Sequence, residues 1–228
     1  MSYKTIFLIF FISIISYSSC FAENNSSQGS NQQEDLLKYT AKDYELLKSI
    51  VAKIAITIGK QPSDYKIIIR PAKDFNASAT LGRQLTVNSS LFHLLKTEAG
   101  LATIVAHEMG HIERKHVIKG MTTSIATSIV GSAIGVLSGS HYGASAARDV
   151  STIAVKAHSR SQERSADLFA IDLINRLYCA SPGKIEGYKL MMANDKSGNY
   201  SSFLRTHPLP QTRLEYMIKL IEDAGCEV

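Results

Sequence analysis

Residues 101–111 read Leu101-Ala102-Thr103-Ile104-Val105-Ala106-His107-Glu108-Met109-Gly110-His111. Leu101, Ile104 and Val105 recur at helical spacing with Thr97 available as an N-cap, so a helix is predicted to run through both histidines. Positions four apart on a helix differ by about 40° in azimuth and about 6 Å along the axis. The imidazoles of His107 and His111 therefore face one point, as a tetrahedral metal site requires. Glu108 is rotated by about 100°, where it can reach a metal-bound water without binding the metal itself.

Two histidines leave such a site incomplete, because catalytic zinc takes three protein ligands and keeps a fourth position open. One continuation of the motif places a histidine six residues after the second, but that position is Val117, and the glycine it needs is Arg114. His116 lies about 140° round a continuous helix from His111 and is read as a surface or core histidine facing elsewhere.

The better candidate is Ser159-Arg160-Ser161-Gln162-Glu163-Arg164-Ser165-Ala166-Asp167. Leu168, Ile171 and Ile174 mark it as an amphipathic helix, and Glu163 and Asp167 share one of its faces. Glu163 can supply the third ligand oxygen, while Asp167 can accept the outer N–H of a ligand histidine and fix its tautomer. A last element is Thr206-His207-Pro208-Leu209-Pro210-Gln211-Thr212-Arg213. Pro210 can open a helix carrying Leu214, Met217, Ile218 and Ile221. His207, just before it, could donate a hydrogen bond to a developing oxyanion or occupy the open metal position at rest. His93, His141 and His158 carry no pattern and receive no role.

Working outward, Leu47, Ile50, Val51, Ile54 and Ile58 define an earlier helix, with Thr40 as its N-cap and Gly59 as its stop. Tyr65 to Arg70 is a short β-branched run halted by Pro71, and Gln84 to Asn88 is a second strand. Everything after Asn88 reads helical. The fold class is α+β, predominantly helical, with a small N-terminal sheet packed on the H-E-x-x-H helix, a zincin-like arrangement.

The chain has 228 residues, 45% of them hydrophobic and 20% charged, which excludes disorder throughout and disulfide-dense miniproteins. Its formal net charge is +5, without the dense Lys/Arg run of a nucleic-acid binder. Residues 1–22 have the form of a secretory signal peptide. Lys4 is the only charge, Thr5 to Ser19 is apolar, and Cys20-Phe21-Ala22 gives small residues where a peptidase cuts. An uncleaved anchor, or lipidation at Cys20, are the alternatives. Residues 23–39 form a flexible leader and 40–228 the catalytic domain. Export would leave Cys179 and Cys226 in an oxidising compartment, where a disulfide between them is expected.

Gly120 to Ala147 contains no charged residue, and Gly131, Gly135 and Gly139 recur every fourth position. It is read either as a lid or packed helix pair over the core, or as a membrane-contacting segment with a glycine packing face.

This ordered set of elements resembles the gluzincin endopeptidase family of HtpX and the CAAX prenyl proteases. Within it, the chain is most similar to exported periplasmic members that maintain the bacterial outer membrane, the BepA-like and LoiP-like enzymes. The similarity runs from about Thr40 to the C-terminus through Asn76-Ala77, Leu85-Thr86-Val87, His107-Glu108-Met109-Gly110-His111, Ser159-Arg160, Glu163, Ala166-Asp167, His207-Pro208 and Arg213. It implies one Zn²⁺ per chain held by His107, His111 and Glu163, with Glu108 as general base. It also implies a His207 steadied by Arg213, and a substrate lying beside the strand that follows Asn76 and Ala77. Ser165, where relatives often carry an acid, and Thr80-Leu81-Gly82-Arg83, replacing a Gly/Pro-rich turn, depart from the family pattern. The multi-span region of HtpX and the prenyl proteases and the repeat module of some relatives are both expected to be absent.

The resulting expectation is a metalloendopeptidase of the bacterial periplasm, associated with the outer membrane. Its partners would be protein substrates of the cell envelope, with peripheral membrane contact through 120–147 and no nucleic acid. The alternative is a zinc-stabilised, chaperone-like binder of unfolded envelope proteins with latent proteolysis.

Overall fold

The computed structural model describes residues 34–120, 122, 158–195, 201–209 and 211–228. The expected signal peptide, most of the leader, almost all of the uncharged 120–147 stretch and Pro210 lie outside the described residues.

Helix α1 (Ala41–Thr57) opens with a capping box: the Thr40 hydroxyl accepts from the Asp43 amide, and the Thr40 amide donates to the Asp43 carboxylate. It buries Leu47, Ile50, Val51 and Ile54 and gives way to Gly59 at a φ of 71°, a left-handed conformation suited to glycine. Three strands follow: β1 (Lys66–Arg70), β2 (Ala77–Thr80) and β3 (Gln84–Asn88). Their spatial order is β1-β3-β2, with β1 parallel and β2 antiparallel to the central β3. The register pairs Ile69 with Val87 and Ala77 with Val87 from the other side. Residue patterning finds β1 and β3 but not β2, whose Ala77-Ser78-Ala79-Thr80 lacks the large apolar residues that mark a strand.

A short helix, α2 (Ser90–Leu94), leads to α3 (Glu98–Glu113), the centre of the molecule. The Thr97 hydroxyl caps it by accepting from the Gly100 amide, and every residue from Ala99 to His111 is buried. Around it pack β2 and β3, α1, α4 (Arg160–Tyr178) and α5 (Glu186–Asp195), while α7 (Gln211–Asp223) packs on α4 beyond the short α6 (Ser201–Thr206). The N-terminus of α3 is held by Glu186, whose carboxylate accepts from the Lys96 and Thr97 amides and the Thr97 hydroxyl.

At its C-terminal end, Glu113 Oε1 accepts from Tyr65 Oη and Arg83 Nη1, each at 2.6 Å. These bonds anchor the connection between β2 and β3 at Arg83, a non-glycine residue at a φ of 56°. Among the described residues, no helix is long and apolar enough to cross a membrane.

The last helices are fastened covalently. Cys179, at the C-cap of α4, is joined to Cys226, three residues beyond α7. Beside the bridge, buried Lys184 donates from Nζ to the carbonyls of Cys179, Ser181 and Glu227, and the Cys179 carbonyl also accepts from the Glu227 amide. The link closes a loop of 47 residues in sequence separation, worth about 4 kcal/mol in the chain-entropy account. The Cys179→Ser/Cys226→Ser double variant is therefore expected to unfold at markedly lower urea, by a difference of about 4 kcal/mol. A midpoint equal to that of the oxidised wild type would show that the bridge contributes no stability.

Candidate metal centre

Helix α3 presents His107 and His111 on one face, α4 presents Glu163, and the turn after α6 presents His207. All four side chains are buried, and one ligand atom from each lies within 4.8 Å of every other. His107 Nε2 is 3.0 Å from His111 Nε2 and 3.3 Å from His207 Nδ1. The Glu163 carboxylate lies 3.5 Å from His107 Nε2, 3.3 Å from His111 Nε2 and 3.1 Å from His207 Nδ1. Four donors held tetrahedrally at zinc–nitrogen distance are about 3.3 Å apart, so the observed spacings fit one metal ion.

The electrostatics agree. Burial alone would keep Glu163 protonated, yet His107, His111 and His207 hold its carboxyl far below the usual range. Asp167 is likewise held down against burial by His107 and Arg213. Burial disfavours a charged His107, but Asp167 and Glu163 outweigh it and raise its pKa to about 10. His111 goes the other way, lowered to about 2 chiefly by burial. The ionised carboxylates and the neutral His111 imidazole suit a cation, and a metal bound here would have to displace the proton of His107.

Around these donors stands a shell that fixes them. Asp167 Oδ1 is 3.0 Å from His107 Nδ1. Arg213 grips Asp167 with two hydrogen bonds, Nε to Oδ2 at 2.8 Å and Nη2 to Oδ1 at 2.7 Å, and Tyr216 Oη donates to the same carboxylate. The third guanidinium nitrogen, Nη1, donates to the Pro208 carbonyl at 2.6 Å and stands 2.7 Å from Glu163 Oε2. Arg213 thus ties the carboxylates of α4 to the backbone immediately after His207, whose ring stacks on Phe203 at 4.4 Å. Glu108 is buried beside the donors, with its Oε1 3.4 Å from His207 Nε2 and without a hydrogen-bond partner among the described residues.

The sequence model of peptidase family M48 matches residues 41–220. The chain belongs to that family, and it is a metalloendopeptidase. It is 29% identical to the metalloprotease LoiP of Escherichia coli (strain K12) over 178 residues, covering 75% of this chain and 68% of that one. Metalloprotease YcaL of the same organism is 27% identical over 174 residues, covering 73% and 67%. The beta-barrel assembly-enhancing protease of that strain is 26% identical over 155 residues, 62% of this chain but only 31% of that protein.

Family M48 membership accords with the H-E-x-x-H reading, but three details of the sequence reading need correction. His116 does not face elsewhere: it is buried, with its Nδ1 3.0 Å from His111 Nδ1. The extrapolated helical azimuth fails because α3 ends at Glu113 and Lys115, at a φ of 57°, redirects the chain. His158, assigned no role, lies with its ring centroid 3.9 Å from that of His111. Only the fold brings it there from a position 47 residues downstream. Leu168 is 41% exposed, off the buried face that Ala166, Ala170, Ile171 and Ile174 make.

Gly110 decides how close α4 can come. A Cβ there would stand 3.2 Å from Ala166 Cα and from the Ala166 carbonyl oxygen, and 3.1 Å from Phe169. The backbone contact cannot yield without displacing α4, which carries Glu163 and Asp167. Gly110→Ala is expected to lower stability by about 1–3 kcal/mol and to weaken metal binding in a competition titration against a chelator. Unchanged metal affinity would mean that the spacing of α3 and α4 does not set the donor geometry.

Proposed function

We propose that this M48 peptidase is an exported zinc endopeptidase that hydrolyses misfolded or misassembled outer-membrane proteins in the bacterial periplasm. The supporting observation is the convergence of four buried donor atoms beside the buried Glu108, whose Oε1 makes no hydrogen bond among the described residues. In this reading His107, His111 and Glu163 hold one zinc ion. When bound, zinc polarises the scissile carbonyl and lowers the pKa of water. Glu108 takes the proton from the attacking water and delivers it to the departing amide nitrogen. Its Oε1, without a hydrogen-bond partner among the described residues, leaves it free for both transfers. Asp167 orients His107 and His116 orients His111, each engaging the Nδ1 side so that Nε2 faces the metal.

Strand β2 supports an extended polypeptide as substrate. It is an edge strand in contact with α3, and Asn76, just before it, carries a buried side-chain oxygen without a hydrogen-bond partner among the described residues. Addition of a substrate strand beside Asn76 and Ala77 would satisfy backbone groups without demanding a particular sequence. Unfolded proteins offer such segments. The envelope assignment rests on the signal-peptide character of residues 1–22, the disulfide, and the beta-barrel assembly-enhancing protease among the relatives. Peripheral membrane contact through 120–147 belongs to the same proposal.

His207 favours a second reading. Its Nδ1 lies among the donor atoms, so it can fill the position a substrate carbonyl would need and leave a latent, chaperone-like binder. A role as oxyanion donor requires that it leave this position when substrate arrives. His207→Ala separates the two: casein cleavage rises if His207 caps the metal, and falls if it stabilises the oxyanion.

Metal content and casein cleavage, measured together, test the main reading. Wild type and Glu108→Gln should each carry one zinc, with turnover in wild type alone, lost on chelation and restored by zinc. Near-normal cleavage by Glu108→Gln would remove it as the base. His116→Ala should weaken zinc binding about 10–100-fold, and an unchanged affinity would leave His116 a packing residue only.

A further inference from the structure

A cavity of about 850 Å³ opens beside the metal centre, with Glu163 and Arg213 in its wall. Leu204, Leu209 and Tyr216 give it an apolar lining, and Arg160, Arg164 and Arg205 stand along it, each exposed. Its inner charges are balanced, since Arg213 is paired to Asp167 and Glu163. The outer ones are not: none of the three outer guanidiniums pairs with a carboxylate among the described residues.

Their placement also works against the helix that carries two of them. Arg160 is the first residue of α4, where the helix dipole disfavours a cation, and Arg164 is four residues on, where like charges repel. Glu163 and the Ser159–Gln162 capping box favour the start of the helix, but neither forms an ion pair with these two guanidiniums among the described residues. Arg164 is nonetheless preorganised. Its guanidinium lies 4.8 Å from the ring centroid of Tyr216, and the Tyr216 hydroxyl is fixed on Asp167. Stacking uses the face of the guanidinium and leaves its N–H edge free for a carboxylate.

We infer that this cavity is a substrate subsite selecting acidic side chains near the scissile bond, with Arg164 and Arg205 as the specificity-determining residues and Arg160 supporting them. A substrate segment would lay apolar atoms on Leu204 and Leu209 and aim a carboxylate at the guanidiniums. This selectivity rests on the proposed catalytic role of the adjoining metal centre, and it adds a substrate class to a site otherwise indifferent to sequence.

The test uses quenched peptides of one neutral core carrying Glu, Gln or Lys at successive positions on either side of the scissile bond. Cleavage by the full zinc-loaded chain gives kcat/KM ratios, and anisotropy of labelled versions on zinc-loaded Glu108→Gln gives Kd ratios without turnover. At one position Glu should be favoured over Gln by about tenfold, two partly screened ion pairs acting together, and the ratio should shrink with added salt. The Arg164→Glu/Arg205→Glu double variant should reverse the order and favour Lys.

A Glu preference in binding without wild-type cleavage would sink the catalytic reading and leave the subsite standing. Cleavage with no preference at any position, absence of peptide binding, or a preference that survives charge reversal would overturn the subsite. So would arginine variants that change only sedimentation with phosphatidylglycerol vesicles, which would make the rim a membrane contact.

Discussion

Two ionised carboxylates, Glu163 and Asp167, sit one turn apart on a helix and are almost completely removed from water. Desolvating them is costly unless positive charge is brought to them with good geometry, and much of the molecule is arranged to do so. Arg213 arrives from α7 and engages both, forked on Asp167 and in ion-pair contact with Glu163. Histidines arrive from α3 and from the turn after α6. A bound metal ion would take its place in that balance by displacing the proton that Glu163 and Asp167 otherwise favour on His107.

That electrostatic demand gives the packing its meaning. Helix α4 must lie against α3 at van der Waals limits for Glu163 to meet His107 and His111, and Gly110 is the residue that permits this. Helix α7 must be held against α4 for Arg213 to reach its partners, and the Cys179–Cys226 bridge fastens the far ends of that pair. Lys53 and Tyr178 both donate to Glu98, fixing α1 and the end of α4 to the start of α3. Each tie lies away from the donors, and each restricts a motion that would separate them.

The centre was legible because its chemistry is local. His107, Glu108 and His111 are related by helical spacing, and so are Glu163 and Asp167, so one turn of geometry predicts which groups share a face. What links the two helices is not local: the need for a third ligand points to Glu163, and the ordered resemblance supports the same pairing. His116 was misread for the same reason: an azimuth calculated along an ideal helix means nothing once Lys115 turns the chain. His158 gave no signal, since its contact with His111 depends wholly on how α4 docks. Strand β2 carries no strand pattern because Ala77, Ser78, Ala79 and Thr80 include no large apolar side chain. Leu168 illustrates the converse, an apolar residue at helical spacing that faces solvent because α4 buries a neighbouring stripe instead.

Charge in this molecule is therefore organised in two tiers with different purposes. The inner tier is built of mutual pairs: Arg213, Asp167, Glu163 and the histidines face one another, and removing any member strands its partners in a buried setting where the penalty is large. The outer tier is open. Arg160, Arg164 and Arg205 line the adjoining cavity without carboxylate partners among the described residues, and Arg160 stands at the helix start, where a cation is least favoured. A mutually paired inner network suits a centre that must keep its geometry whatever it cuts. An open outer set suits recognition, because unpaired guanidiniums at a cavity edge lose little when a carboxylate arrives and can give up that carboxylate readily after cleavage. Selectivity placed there could change by single surface substitutions while the buried chemistry stayed untouched.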